Sequence, residues 1–387
     1  MSIFDEKINR IHTSSVKWEL TKEIYGEDDL WPMWVADMDF KPPQAVIDTL
    51  QKRVEHGVFG YTFVSASAAK AVTDWLDKRH QWTVQPSWLS YCSGVVQAIS
   101  TAIQSFTQEG DKVLLQSPVY TPFFNMIEKN NRVVVNSPLV LEGNKYKIDF
   151  EHFENALKEG CKLFLLCNPH NPAGRVWDRE ELQKIGQLCL QYDCLILSDE
   201  IHSDLVYKQY KHIPIASLNE ELSQKTITFI APSKTFNLAG LQASAVIIKN
   251  DELRKQFNDT LTRMGSFSLN VFGSTGMEAA YREGEAWLDE LIDYLQQNKD
   301  YCISFLQEQL PEITCIESEG TYLLWLDCRK LGLTDEQLKE ALIQKGKLAL
   351  EPGPKYGPGG EGFVRVNIAC PKADVIEGMN RLIKAFK

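Results

Sequence analysis

The sequence lacks the features by which several classes of protein are recognised. It has no internal repeat, no low-complexity segment and no apolar run near the roughly 18 residues that a membrane-spanning helix needs. It also lacks an excess of positive charge, because 41 lysine and arginine residues stand against 52 aspartate and glutamate residues, a formal net charge of -11. An acidic surface repels phosphate backbones and anionic lipids, so the composition disfavours nucleic acids and membranes as partners. A small-molecule partner is favoured instead.

Patterns typical of disulfide frameworks and metal sites are missing as well. The nine cysteines form no C-x-x-C pair, and several lie inside apolar runs such as residues 163–167. The seven histidines show no H-E-x-x-H or similar ligand spacing. We therefore expect buried, reduced thiols and no metal site. Residues 1–7 carry early acids and no apolar leader, so we also expect a cytosolic protein.

The 387 residues suffice for two or three domains, and the sequence pattern changes along the chain. In the middle, short apolar runs alternate with helix-length amphipathic stretches such as residues 178–192. This alternation predicts an α/β fold with a mostly parallel central sheet covered by helices on both faces. We place this large domain at residues 46–284 and a smaller α+β domain at residues 1–45 and 285–387. The predicted strands are the runs 113–115, 133–135, 163–167, 194–197, 226–230 and 243–248.

Four of these strands lead into chemically distinctive side chains, namely Tyr120, Asn171, Asp199 and Lys234. Open α/β sheets bind ligands beyond the carboxyl ends of their strands, so we expect the four to converge. Singly, each has an ordinary explanation as a turn residue, a helix cap or a surface amine. Together they supply what pyridoxal phosphate requires of an enzyme: an amine to attach it, a carboxylate for the ring nitrogen, an amide for the phenolate oxygen and an aromatic ring to stack on it.

Two further segments have both a functional and an ordinary interpretation. Ser93 and Gly94 open a stretch with helical spacing of apolar residues, and the free N–H groups and dipole of such a helix favour a dianionic phosphate. The pair can equally be a simple helix cap. Residues 351–360, rich in glycine and proline, precede a strand-like run at 363–367 and indicate either an ordered loop near a functional site or a surface turn.

Five segments taken together resemble the class I/II aminotransferase family of fold type I pyridoxal-phosphate enzymes, and the resemblance covers nearly the whole chain. They are residues 33–40 (MWVADMDF), 56–61 (HGVFGY), 167–175 (CNPHNPAGR), 198–205 (SDEIHSDL) and 231–237 (APSKTFN). The third and fifth are family-wide. The first and fourth point to the cystathionine β-lyase, or C–S lyase, subgroup.

The resemblance implies a role for each candidate residue. Lys234 becomes the Schiff-base lysine that also moves the substrate α-proton, and Asp199 becomes the partner of the pyridine nitrogen. Asn171 donates to the phenolate oxygen and Tyr120 stacks on the ring. The implied substrate contacts are Arg365, which clamps the α-carboxylate, with Asn171, Val35 and Ala36. The other implied cofactor contacts are Gly94, Val95, Ser233, His202 and Tyr61.

Tyr61 matches a tyrosine that reaches the cofactor phosphate of the neighbouring subunit, which implies a homodimer with shared active sites. Two positions depart from the wider family pattern. His202 stands where many relatives have tyrosine, and Gln242 stands where many have a phosphate-binding arginine. Phosphate binding then depends more on backbone N–H groups, hydroxyls and Tyr61. The role of His202 stays open.

The implied activity is α,β-elimination on L-cystathionine or another L-cysteine S-conjugate, which gives a thiol, pyruvate and ammonia. Two alternatives stay open: a true aminotransferase, which needs a 2-oxo acid acceptor, and a regulatory protein that uses this fold to bind a transcription factor. The sequence does not fix which thiol is released, so methionine biosynthesis, odorant thiol production and cysteine degradation to sulfide all remain open. Trp31, Trp34 and the loop around Tyr356 are candidates for lining the side-chain pocket.

Overall fold

The computed structural model describes residues 2–266 and 268–387. Its strands are β1 (Trp31–Pro32), β2 (Leu89–Cys92), β3 (Lys112–Leu115), β4 (Val133–Asn136), β5 (Leu139–Glu142), β6 (Lys145–Ile148), β7 (Leu163–Cys167), β8 (Leu195–Asp199), β9 (Thr226–Ile230), β10 (Ser244–Ile248), β11 (Thr314–Cys315), β12 (Leu323–Asp327), β13 (Leu348–Ala349), β14 (Glu351–Pro352) and β15 (Phe363–Asn367). Its α-helices are α1 (Val16–Glu19), α2 (Thr21–Tyr25), α3 (Gln44–His56), α4 (Ala66–His80), α5 (Val95–Phe106), α6 (Thr121–Lys129), α7 (Phe150–Lys158), α8 (Arg179–Gln191), α9 (Glu220–Gln224), α10 (Pro232–Thr235), α11 (Asp251–Arg263), α12 (Val271–Glu283), α13 (Glu285–Gln309), α14 (Asp335–Glu340) and α15 (Lys372–Phe386).

A seven-stranded sheet forms the centre of the molecule, in the order β2-β10-β9-β8-β7-β3-β4. Strand β10 is antiparallel to both of its neighbours, and the other pairs are parallel. The predicted fold class is confirmed, and each of the six predicted strands is present within two residues of its predicted ends. One boundary changes the interpretation of a site residue. Asp199 pairs with both Cys167 and Phe229, so it is the last residue of β8 rather than a helix cap.

Helices cover this sheet on both faces. Along β7, Leu163 and Leu165 pack with α5 in one apolar cluster, whereas Phe164 and Leu166 pack with α7 and α8 in another. Successive side chains of a strand point to opposite faces, so a strand covered on both sides has to be apolar at every position. The unbroken apolar run of residues 163–167 is therefore what places β7 in the middle of the sheet.

The two ends of the chain meet in a second, smaller unit. Strands β11, β12, β15 and β14 form an antiparallel sheet in that order, and β1 pairs in parallel with β13. The segment 351–360, predicted as a loop, starts with the short strand β14 and continues as a 3-10 turn at Gly353–Tyr356. The boundaries of residues 46–284 for the large domain stay a prediction.

All nine cysteines carry free thiols, and eight of them are buried, as expected for structural thiols. Within residues 2–266 and 268–387, no helix combines the length and the apolar character that crossing a membrane requires.

Candidate active site

A cavity of about 500 Å³ opens at the carboxyl ends of β7, β8 and β9. Most of the predicted site residues line it, although they come from distant parts of the chain: Val35, Ala36, Gly94, Val95, Tyr120, Asn171, Asp199, His202, Ser233, Lys234 and Arg365. Trp34 and Tyr356 line it as well. The four polar groups predicted to converge at one edge of the sheet therefore share one cavity, and the small sheet adds the arginine from its strand β15.

Lys234 lies on α10, directly after β9, and its Nζ donates a hydrogen bond to the carbonyl oxygen of Ala36 at 2.6 Å. Burial and, to a lesser extent, the nearby charge of Arg365 lower the pKa of this amine to about 8, although the charges of Asp37 and Asp199 act in the opposite direction. A lysine with this pKa is partly neutral near physiological pH. It can therefore act as a nucleophile or accept a proton, which an ordinary surface lysine cannot.

Asp199 shows the opposite effect of burial on a carboxyl group. Its pKa is raised to about 7, mainly by loss of solvent and also by the charge of Glu200. The N–H of Ile201, which donates to Oδ1 at 3.1 Å, and the charge of Lys234 limit the rise. A buried carboxylate with no strong cationic partner is costly to ionise. A cationic group facing Asp199 in the cavity removes that cost, and a protonated pyridine nitrogen is such a group.

Arg365 projects from β15 and is only 4% exposed. One terminal nitrogen donates to Oδ1 of Asn171 at 3.1 Å and the other to the carbonyl of Trp34 at 2.8 Å. Its Nε has no partner among the described residues. Because the amide oxygen of Asn171 already accepts from Arg365, the N–H groups of the same amide remain available to a ligand. A phenolate oxygen needs such a donor.

The start of α5 supplies backbone donors at one end of the cavity. Gly94 precedes the helix, and within the described part of the chain no side chain caps its first turn. A Cβ at Gly94 meets nothing within 4 Å, so the space beside this helix end is open. Ser233 and Gln242 line the same cavity. Uncapped N–H groups and a hydroxyl suit a phosphate dianion, and the residues present therefore fit pyridoxal phosphate along its whole length.

The structure also shows positioning groups that the sequence reasoning missed. Residues 34–40 cross the site as an irregular segment whose carbonyls are held by side chains from other regions. The hydroxyl of Tyr322 donates to the carbonyl of Ala36 at 2.8 Å, beside the bond from Lys234. The amide of Asn367 donates to the carbonyls of Val35 and Asp37, both at 2.6 Å. The sequence indicated this role only through the position of Asn367, two residues after Arg365.

A second missed group lies behind Lys234. Asp204 is buried and accepts hydrogen bonds from Thr235 Oγ1 at 2.8 Å and from Trp75 Nε1 at 3.0 Å, and it lies 2.9 Å from His80 Nε2. Burial acts to raise the pKa of Asp204, but its bonds and charge interaction with these partners hold it below the usual value. The carboxylate thus fixes the residue next to Lys234. The second aspartate of the SDEIHSDL segment was the only signal for it.

Two predicted residues lie outside the cavity, and a third lines it without a defined role. Tyr61 does not line the cavity of its own chain and is fully exposed. Trp31 lies outside the cavity, where its indole N–H donates to the carbonyl of Asp374 at 3.2 Å, because β1 pairs with β13 away from the site. His202 lines the cavity, and burial lowers its pKa to about 3, so the imidazole is neutral. Its Nδ1 has no partner within the described residues.

A mostly parallel sheet covered on both faces, with a lysine, a carboxylate and an arginine at its carboxyl edge, defines a fold type I pyridoxal-phosphate enzyme. The chain belongs to the aminotransferase class I and II family, whose model matches residues 33–382. The predicted family is thereby confirmed.

Similar proteins cover the chain almost completely. It is 47% identical to the cystathionine β-lyase PatB of Bacillus subtilis, over 99% of both chains. Among solved structures, a pyridoxal-phosphate-bound putative aminotransferase from Clostridium difficile superposes with a TM-score of 0.98 at 44% identity, over 99% of both chains. Cystalysin from Treponema denticola, which contains pyridoxal 5'-phosphate, superposes with a TM-score of 0.96 at 38% identity, over 99% of this chain and 98% of that one.

Proposed function

We propose that this protein is a pyridoxal-phosphate-dependent C–S lyase that performs α,β-elimination on L-cystathionine or other L-cysteine S-conjugates. The observation that carries the proposal is the meeting of Lys234, Asp199 and Arg365 in one cavity of a chain so similar to a cystathionine β-lyase. The products are a thiol, pyruvate and ammonia.

The cavity offers a contact for each part of the cofactor. The residues of the same chain that would hold it all line the cavity. Lys234 would attach it, Asp199 would pair with its ring nitrogen and Asn171 would donate to its phenolate oxygen. Tyr120 would stack on the ring, and burial raises the pKa of its hydroxyl to about 12, so it stays neutral. Gly94, Val95 and Ser233 would contact the phosphate, and Gln242 lines the same cavity.

The chain's own groups bind the substrate and move its proton. Arg365 binds the α-carboxylate, and the segment at Val35 and Ala36, held by Tyr322 and Asn367, forms the adjoining wall. Once the substrate amino group has displaced Lys234 from the cofactor, the free Nζ of this lysine accepts the α-proton. When bound, pyridoxal phosphate supplies the electron sink that stabilises the negative charge left on the α-carbon. The Cβ–S bond then breaks with its electron pair on sulfur, and water converts the remaining fragment to pyruvate and ammonia.

We also propose a homodimer in which Tyr61 reaches the cavity of a second copy. Support comes from its neighbourhood, because Phe59 is 53% and Phe63 76% exposed, as expected of a surface that a partner covers. Mixing a Tyr61→Ala variant with a Lys234→Ala variant tests this. Hybrid dimers then contain one site with both residues intact, so activity returns on mixing. Activity that stays absent contradicts shared sites.

An aminotransferase is the second candidate function, and the 44% identity to a putative aminotransferase favours it. Both activities need the same residues up to removal of the α-proton, but only transamination needs a 2-oxo acid. A regulatory protein that binds a transcription factor is a third prediction, and capture of a partner by the Lys234→Ala variant supports it.

A pyruvate-release assay with L-cystathionine tests the proposed function. The lyase releases pyruvate without any 2-oxo acid, and Lys234→Ala abolishes both the release and the visible absorbance of the bound cofactor. Product formation only after a 2-oxo acid is added moves the assignment to aminotransferase. Full turnover by Lys234→Ala contradicts both the lyase and the aminotransferase assignment.

A further inference from the structure

The cavity contains an ion pair that the proposed chemistry does not use. Among the described residues that line it, the cationic side chains are Lys234, Lys355 and Arg365, and the carboxylates are Asp199 and Glu351. The proposed function employs Lys234, Asp199 and Arg365. One carboxylate and one ammonium are therefore left over, and they are paired with each other.

Strand pairing places this pair beside the group that holds the substrate. Strand β14 runs antiparallel to β15, and Glu351 lies opposite Arg365 in the register. Residues opposite each other project from the same face of a sheet with their Cβ atoms roughly 5 Å apart. A ligand whose carboxylate is bound by Arg365 therefore has Glu351 as a near neighbour in the same cavity.

The geometry of the pair leaves room for exchange with a ligand. Oε2 of Glu351 lies 2.8 Å from Nζ of Lys355, and the side chains are 7% and 48% exposed. The backbone of Lys355 is fixed, because Thr121 Oγ1 donates to its carbonyl at 2.5 Å. Because about half of the lysine side chain is exposed, a change of rotamer would not require its main chain to move, whereas the glutamate side chain is buried in the cavity wall.

We propose that Glu351 and Lys355 recognise the far end of a zwitterionic cysteine conjugate, so that the enzyme prefers substrates whose leaving thiol itself carries an amino-acid group. The inference rests on the proposed function. The distal ammonium of such a substrate binds Glu351, and its distal carboxylate binds Lys355. The two residues thus give up their ion pair with each other, and each pairs instead with an opposite charge of the substrate. L-cystathionine and L-cystine belong to this substrate class, and S-alkyl cysteines do not.

The test compares L-cystathionine with S-ethyl-L-cysteine by pyruvate release from the cofactor-loaded enzyme. The variants are Glu351→Gln and Lys355→Met, which keep side-chain shape and remove charge. The ratio of kcat/KM for cystathionine over that for S-ethylcysteine falls about 10- to 100-fold in each, the effect of losing one charge-assisted hydrogen bond, and the fall lies mainly in KM. Lys70→Gln, which breaks an exposed ion pair with Asp74 on α4, is the matched control and keeps the ratio of the unchanged enzyme.

An unchanged ratio in both variants overturns the inference, as does an equal loss on both substrates, which indicates a structural role for the pair. If Glu351→Gln does not fold, the half-exposed Lys355→Met decides alone. Pyruvate from S-ethylcysteine with no change of ratio refutes this inference and leaves the lyase intact. Pyruvate from neither substrate with the unchanged enzyme refutes the proposed function itself.

Discussion

Replacing Asp199 by asparagine should stabilise the cofactor-free protein, although it removes a residue that the proposed chemistry requires. Burial raises the pKa of this carboxyl from 3.8 to about 7. In the native state the group therefore holds its proton up to about pH 7, while in the unfolded chain it is ionised above about pH 4. Since the native state binds more protons over this range, stability falls as the pH rises towards 7. Asparagine removes that dependence.

The magnitude follows from the size of the shift. Each pKa unit corresponds to about 1.4 kcal/mol, and the cost of ionising Asp199 stops growing once the pH passes its native pKa of about 7. Between about pH 5 and about pH 8 the cost therefore grows by about 3 kcal/mol. Loss of the attraction to Lys234 offsets part of the gain. We expect the stabilisation by Asp199→Asn to be larger at about pH 8 than at about pH 5 by about 2 to 3 kcal/mol. Asparagine can still accept from the N–H of Ile201, so the local geometry is kept.

The assay is urea unfolding of the cofactor-free protein at both pH values and at one fixed protein concentration. Glu154→Gln is the control, because Glu154 is partly exposed and its hydrogen bond from Tyr192 keeps its pKa below the usual value, so it stays ionised throughout this range. Its effect on unfolding is the same at both pH values. An equal effect of Asp199→Asn at the two pH values, or a loss of stability at the higher one, contradicts a carboxyl pKa raised by burial.

Three further substitutions test the positioning of the site. Arg365→Lys removes the bidentate donor geometry, so kcat/KM for pyruvate release falls by about 100-fold or more. A loss under about 3-fold contradicts a role of Arg365 in binding the substrate carboxylate. Tyr322→Phe removes the bond to Ala36 and lowers kcat/KM about 3- to 10-fold with unchanged circular dichroism, and full activity shows that the bond does not matter. Asp204→Asn weakens the buried hydrogen-bond network that holds Thr235 and lowers the free energy of unfolding by about 3 kcal/mol. A change below about 1 kcal/mol in urea unfolding contradicts a role of Asp204 in holding Thr235.

The central sheet was predictable because its pattern is local. A strand that is covered on both faces has to be apolar at consecutive positions, and the runs at 163–167 and 226–230 match β7 and β9 residue for residue. The site residues after these strands were predictable for the same reason, since the carboxyl ends of parallel strands meet at one edge. Family resemblance was needed for Arg365, because a strand in the small sheet gives no hint that its side chain enters a cavity of the large one.

The missed groups depend on contacts between distant parts of the chain. Tyr322 acts through the carbonyl of Ala36, 286 residues away, and Asn367 acts through Val35, 332 residues away. Because every residue type has a backbone carbonyl, the sequence does not show which residues accept these hydrogen bonds. Glu351 and Lys355 were hidden for another reason. They lie in a segment so rich in glycine and proline that its pattern indicated a loop or a surface turn, although Glu351 is 5% exposed and belongs to a strand.

The mass balance of L-cystathionine turnover by the cofactor-loaded protein, without a 2-oxo acid, distinguishes elimination from transamination. Thiol, pyruvate and ammonia are quantified in the same reaction. We expect the three to appear in equal amounts and at equal rates, because breaking one C–S bond releases one of each. Consumption of cystathionine without thiol release, or release of a 2-oxo acid that still contains sulfur, contradicts elimination at this site.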